Sequence, residues 1–277
     1  VSSPATVTAL HAVKVEQPAL PVKRKIDLWM LAGIAIAVGA VASGIAFAGI
    51  RISSFFQPTG MLIVLGGTLG VTFVTTSREA LSRAFRGVKE LMWKGPDDRA
   101  SLLDEMIALS KVMRPKGLFS IEPLIGQFSH PFLRESLSLA VETRSRAELQ
   151  AVLEIKLRQL EKRGETDAKA FEVAGGFAPT IGVLGTVVGL MDVLRQFSNV
   201  SAVAAGTGTA FVSTIYGLGL ANLILLPSAQ RIRAHVAEQV ETHEMIVEGV
   251  LCLFDNLHPA LMRDRLTCFL HPSEESK

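Results

Sequence analysis

Four apolar stretches stand out along the chain, and they come in two pairs. Residues 28–50, 58–77 and 203–226 carry no charged side chain, and 171–194 holds only Glu172 and Asp192, both near its ends. Each stretch is close to the roughly 20 residues a helix needs to cross a hydrocarbon core. The connections 51–57 and 195–202 are short enough only for hairpins. Between the hairpins lies a polar insert with the spacing of helices. In it Leu102, Leu103, Met106, Ile107, Leu109 and Met113 recur at helical intervals, with Asp97 or Asp98 as cap and an end expected before Pro115. Pro131 suits the first turn of a second helix carrying Leu133, Leu137 and Val141. Ser145 with Glu148 forms a capping-box pattern before a third, carrying Leu149, Val152, Leu153, Leu157 and Leu160. No strand run competes.

The expected fold is therefore all-α: an integral membrane protein with four transmembrane helices and a helical cytoplasmic insert. Its parts are a disordered tail over 1–26, a hairpin over 27–77, the insert over 78–170, a second hairpin over 171–227 and a C-terminal helical segment over 228–277. Orientation follows from the cations, because lysine and arginine beside a span resist translocation. Lys23, Arg24 and Lys25 precede the first span; Arg78, Arg83, Arg86 and Lys89 follow the second. Lys156, Arg158, Lys162, Arg163 and Lys169 precede the third, and Arg231 and Arg233 follow the fourth. The hairpin linkers hold only Arg51 and Arg195. Both termini and the insert are expected in the cytoplasm, with the chain in the inner membrane. The first apolar run exceeds the about 7–15 residues of a cleaved signal core, so it reads as an uncleaved anchor.

Composition agrees with a membrane protein. The chain has 277 residues, 49% hydrophobic and 19% charged, and a net charge of +2. No basic stripe interleaved with aromatics points to nucleic acid. Cys252 and Cys268 have no His/Cys cluster beside them at ligand spacing and read as reduced thiols. His235 and His243 are eight apart, where a metal pair favours three or four. No enzyme, metal or cofactor is expected.

Within the membrane the third span carries a stripe of small residues, Gly175, Ala178, Gly182, Gly185 and Gly189, and the fourth a matching one, Gly206, Ala210, Ser213, Gly217 and Ala221. Such stripes let membrane helices approach closely, and they give a physical reason for several copies to form a ring. Pro179 and Thr186, seven apart, share a helix face; with Thr214 they fit either ordinary helix packing or the lining of a pore. No acid lies near the middle of any span. Ion-coupled proteins keep a titratable group there, so either this chain moves no ions or a partner supplies the carboxylate.

The run from Phe171 through Pro179 and Thr186 to Leu190 resembles the flagellar stator A subunits (MotA and PomA), and its Pro-x-x-Gly-x-x-Gly-Thr core is shared with the ExbB/TolQ energisers. Ser213-Thr214-Ile-Tyr216-Gly217, then Ala221-Asn222 to Pro227, and Leu62 to Thr68 agree with it. So does the closing His258-Pro259, where that family usually has Asn-Pro. The resemblance implies a homopentamer around a dimer of a one-span B subunit (MotB/PomB-like), whose intramembrane aspartate carries protons or sodium ions, with torque delivered to a FliG-like rotor protein. It puts Pro179 and Pro227 at functional prolines, Thr186 and Thr214 at pore-facing hydroxyls, and Arg114 and Glu122 at the rotor contact. Membrane lipids are the other expected partner. An ExbB/TolQ-type energiser and a non-conducting scaffold are the alternatives; the hairpin ahead of the insert favours the stator.

Overall fold

In the computed structural model, residues 25–26, 28–49, 52–91, 93–94 and 99–270 are described. The expected tail over 1–26, apart from the two residues 25–26, lies outside them, as do the proposed caps Asp97 and Asp98. The chain divides into two compact units. One comprises Lys25–Lys94 and Lys162–Val236, the other Gly95–Glu161 and Ala237–Lys277.

The first, apolar unit begins with strand β1 (Lys25–Ile26) and helix α1 (Leu28–Phe47). The expected span to residue 50 stops earlier, because Ala48 and Gly49 turn the chain and Gly49 takes φ +69, a conformation that suits glycine. Next come a short 3-10 turn (Ile52–Phe55) and α2 (Pro58–Thr75), with Pro58 in its first turn, where no donor is lost. Helix α3 (Arg78–Leu91) and strand β2 (Trp93–Lys94) complete the first half, β2 pairing antiparallel with β1. The second half uses α6 (Arg146–Arg195), α7 (Val200–Gly219), a π-helical segment (Leu220–Leu225) and α8 (Leu226–Phe254).

Among the described residues three helices are long and apolar enough to cross a membrane: Pro58–Thr75, Arg146–Arg195 and the run Val200–Phe254. Only 22–28% of their apolar windows is buried by this chain. Val183, Leu184, Val187, Phe211 and Ile215 are bare, as are Ile36 and Phe47 of α1. Apolar surface left open on that scale belongs against lipid or further chains.

The small stripes of the third and fourth spans face each other within the protomer. A methyl group on Gly217 would lie 2.6 Å from the Ala178 carbonyl oxygen, and one on Gly189 would lie 2.8 Å from that of Gly206. They join α6 to α7, which approach backbone to backbone, the close helix packing that such stripes allow. The hairpins are also staggered. Gly60, in the first turn of α2, abuts Ser213, whereas α7 already begins at Val200, so α7 starts about 16 Å beyond the start of α2.

The second, polar unit contains α4 (Arg99–Lys116), a 3-10 stretch (Leu118–Gln127), α5 (Pro131–Glu142), the first part of α6, most of α8, and α9 (Pro259–Thr267). Leu102, Met106, Leu133, Leu137, Leu149 and Leu153 form its core, as their periodicity predicts; Met245, Ile246, Val250, Met262 and Leu266 complete it from the C-terminal segment. Two expectations are corrected. The third insert helix and the third span are one 50-residue helix, because residues 161–170 contain no proline and their one glycine does not interrupt it. α4 also continues through Pro115 to Lys116. A proline in the last turn removes one bond, and the carbonyl it orphans belongs to exposed Lys111, open to water.

Nothing in the hydropathy pattern marks Arg99. It is 2% exposed, and its guanidinium donates to the Thr242 hydroxyl and to the carbonyls of Phe269 and Glu238, each at 3.1 Å, while pairing with Glu241. One buried cation thus ties the start of α4 to α8 and to the C-terminal end.

Candidate functional site

Thr186 on α6 and Thr214 on α7 meet at the helix contact. Their hydroxyl oxygens are 2.6 Å apart, and Thr186 Oγ1 also lies 3.1 Å from the Ala210 carbonyl and 3.2 Å from that of Gly182. Each hydroxyl has one proton. Both are satisfied when Thr214 donates to Thr186 and Thr186 donates to a carbonyl, which leaves lone pairs of Thr214 Oγ1 free to accept. The two residues are half-buried, so this small polar spot sits at the margin of the contact. Beside it Ser213 is fully buried, and Gly60 and Gly185 close on its side chain from two helices.

A second polar cluster escaped the sequence reading. The hydroxyl of Tyr216 donates to the Phe55 carbonyl and accepts from the Gln57 backbone N–H at 3.3 Å; Thr209 donates to the Gln57 side chain at 3.3 Å. Together they pin the turn of the first hairpin to α7. The available signal was the chain's single tyrosine, in a span without charged residues.

Pro179 lies inside α6, on the helix that carries Thr186, where its missing N–H leaves the Gly175 carbonyl without its usual partner. Pro227 is the second residue of α8, directly after the π-helical segment. Just past that segment the Leu226 N–H donates to the Ala221 carbonyl, five residues back. The widening has a local cause: a regular turn would drive the proline ring into the Leu223 carbonyl.

Charged side chains gather where the spans end. Arg233 of α8 bonds to Glu165 at 2.8 Å and to Glu172 at 2.6 Å, both on α6, and Arg83 of α3 pairs with Asp167 at 3.1 Å. Hydrogen bonding to Arg233 holds the Glu165 carboxyl below its ordinary range, and the two carboxylates push the Arg233 guanidinium up. Glu172 is thus an ion-paired group in the middle of α6, where the apolar stretch begins, and not at a helix end. Asp192, near the other end, accepts from Gln196 at 3.0 Å. Arg114 and Glu122 belong to the polar unit. Arg114 is at the end of α4 and Glu122 in the 3-10 stretch; both are exposed, and among the described residues neither pairs with another side chain. Phe119, in that same stretch, is 73% exposed.

Comparison with known proteins gives a consistent result along the chain. The MotA/TolQ/ExbB proton channel family matches residues 125–245, and the motility protein A N-terminal family matches residues 31–117. Motility protein A of Bacillus subtilis (strain 168) is 26% identical over 258 residues, covering 91% of this chain and 93% of that protein. A chain of the flagellar MotAB stator complex from Bacillus subtilis superposes with a TM-score of 0.79 at 25% identity, covering 88% of this chain and 97% of that one. The C. jejuni MotAB structure gives a TM-score of 0.83 at 23% identity, covering 89% and 97%, and so shares the fold.

Proposed function

We infer that this chain, which belongs to the MotA/TolQ/ExbB proton channel family and within it to the motility protein A group, is a stator subunit of the bacterial flagellar motor. It is an inner-membrane, multi-pass protein that couples proton or sodium flow to torque. α1, 20 residues without a charge, is the first of four spans; α2, the apolar half of α6, and α7 with the π-helical segment are the others. Both termini and the polar unit lie in the cytoplasm. The cation distribution supports this, as does the gathering of Arg83, Arg233 and their carboxylates at one end of the apolar unit.

The observation that carries the ion pathway is the Thr186–Thr214 pair in a stretch free of acids. Two hydroxyls can pass or solvate an ion but cannot store a proton, so the titratable waypoint comes from elsewhere. We assign it to an intramembrane aspartate of a one-span B subunit, enclosed by a homopentamer of this chain. The bare apolar faces of α1, α6 and α7 suit such a ring and the lipid around it. Pro179 and Pro227 provide backbone irregularities at which the spans change arrangement during the ion cycle, and Arg114 and Glu122 present charge to a FliG-like rotor protein.

The test is ion flux in liposomes. The purified chain alone should form oligomers without flux, and adding a one-span partner with an intramembrane aspartate should create it. Uptake by this chain alone, abolished by substituting Glu172 or Asp192, would overturn the assignment.

A further inference from the structure

Helix α3 has both ends fixed at the same edge of the first hairpin. It starts at Arg78, directly after α2 ends at Thr75, and is followed by β2, whose Trp93 and Lys94 pair with Ile26 and Lys25 just ahead of α1. α1 begins and α2 ends on one side of the hairpin. A 14-residue helix, about 21 Å long, strung between those points runs across the hairpin's end rather than away from it. Given α2 as a transmembrane span, on which this inference rests, α3 lies in the interfacial layer.

The two faces of α3 differ in kind. Ala80 and Ala84 are buried, Ala84 against Ala168, Phe171, Ala229 and Ile232, and Arg83 is held by Asp167. Rotated about 200° from that stripe, Arg78, Ser82 and Arg86 follow one another at steps of four and are exposed. Arg86 donates to the Ser82 carbonyl, and among the described residues neither Arg78 nor Arg86 meets a carboxylate. Two guanidinium groups that pair with no carboxylate among the described residues, held at headgroup depth on a helix packed down by its other face, suit phosphate esters.

We propose that Arg78 and Arg86 bind the phosphates of anionic phospholipids in the leaflet at this end of the hairpin, fixing α3 and the end of α2 to the membrane surface. Arginine suits the role because its planar fork meets a phosphodiester with two parallel hydrogen bonds. An anionic leaflet adds a Coulombic preference that a zwitterionic one lacks.

The test uses the full chain reconstituted in vesicles of phosphatidylcholine and in vesicles with about one third phosphatidylglycerol, with amide hydrogen exchange of residues 78–91 as the readout. Exchange there should be about tenfold slower in the anionic vesicles, and Arg78→Gln combined with Arg86→Gln should remove the difference. Arg144→Gln, in the other unit, should preserve it. Equal exchange in the two vesicle types, a double variant that keeps the difference, or the same protection from inorganic phosphate in neutral vesicles would overturn the proposal. Failure of the reading beneath it looks different: residues 58–75 would then exchange freely in both vesicle types.

Discussion

At the scale of single residues, hydrogen-bond polarity separates two threonines that look alike in the sequence. Thr186 has carbonyl acceptors of its own, whereas Thr214 has only Thr186. Thr186→Val therefore leaves the Thr214 hydroxyl unpartnered and should cost about 1 kcal/mol, while Thr214→Val should cost less. In liposomes holding the complete ion-conducting complex, the double variant should assemble and lose most of its flux; wild-type flux would return both residues to helix packing. A different residue effect lies in the polar unit. His130 caps α5 by accepting from the Phe132 N–H, and its ring meets that of His243 edge-on, with centroids 5.3 Å apart. Burial, then the neighbouring His243 and Arg134, lower its pKa from 6.5 to about 4, and burial also lowers that of His243. The folded state then binds fewer protons than the unfolded state between those values. The stabilisation is complete above about pH 6.5 and is lost progressively as pH falls toward about 4. His130→Asn keeps a capping side chain and should flatten the dependence of the melting temperature over that range; an unchanged slope would exclude His130 as its source.

At the scale of elements, proline has two outcomes in this chain. Pro115 stands in the last turn of an exposed helix, where losing one donor is tolerated, and α4 passes through it. Pro227 follows a span in which every carbonyl needs a partner, and the chain answers with a π-helical segment that carries Asn222, whose side chain donates to the Leu218 carbonyl. Pro227→Ala restores an N–H one turn from Leu223 and should convert Leu220–Leu225 to α-helix. The register of α8 would then turn by about 100° against α7 and draw Arg233 away from Glu165 and Glu172. The expected phenotype is normal assembly with loss of rotation, together with a newly protected amide at position 227. Full swimming speed in the variant would show that the widened turn is incidental. The 3-10 and π segments were not legible in the sequence, because both arise from local crowding and end effects that hydropathy periodicity does not report. The helix start at Pro131 was legible, since proline in a first turn gives up a donor that has no partner there.

At the scale of the whole molecule, the proposed function has charges on the polar unit act on a rotor protein while the ion acts on the apolar one. Among the described residues Arg114 and Glu122 pair with no other side chain, and both are exposed, so reversing them should leave the fold intact. Arg114→Glu and Glu122→Lys should each reduce torque in tethered-cell rotation, and complementary reversals on the rotor should restore part of it. Normal torque with both changes against an unaltered rotor would remove this pair from the contact. The sequence by itself determined the apolar segments, the core periodicity of the insert and the lack of a mid-span acid, because each depends on residue type and spacing alone. The tertiary structure decided what those residues face. It turned the small stripes of α6 and α7 toward each other, joined the third insert helix to the third span, brought His130 to His243 and buried Arg99 among backbone carbonyls. Such pairings set residues far apart in the chain against one another, and a pattern of period 3.6 gives the face of a helix but not the neighbour that covers it.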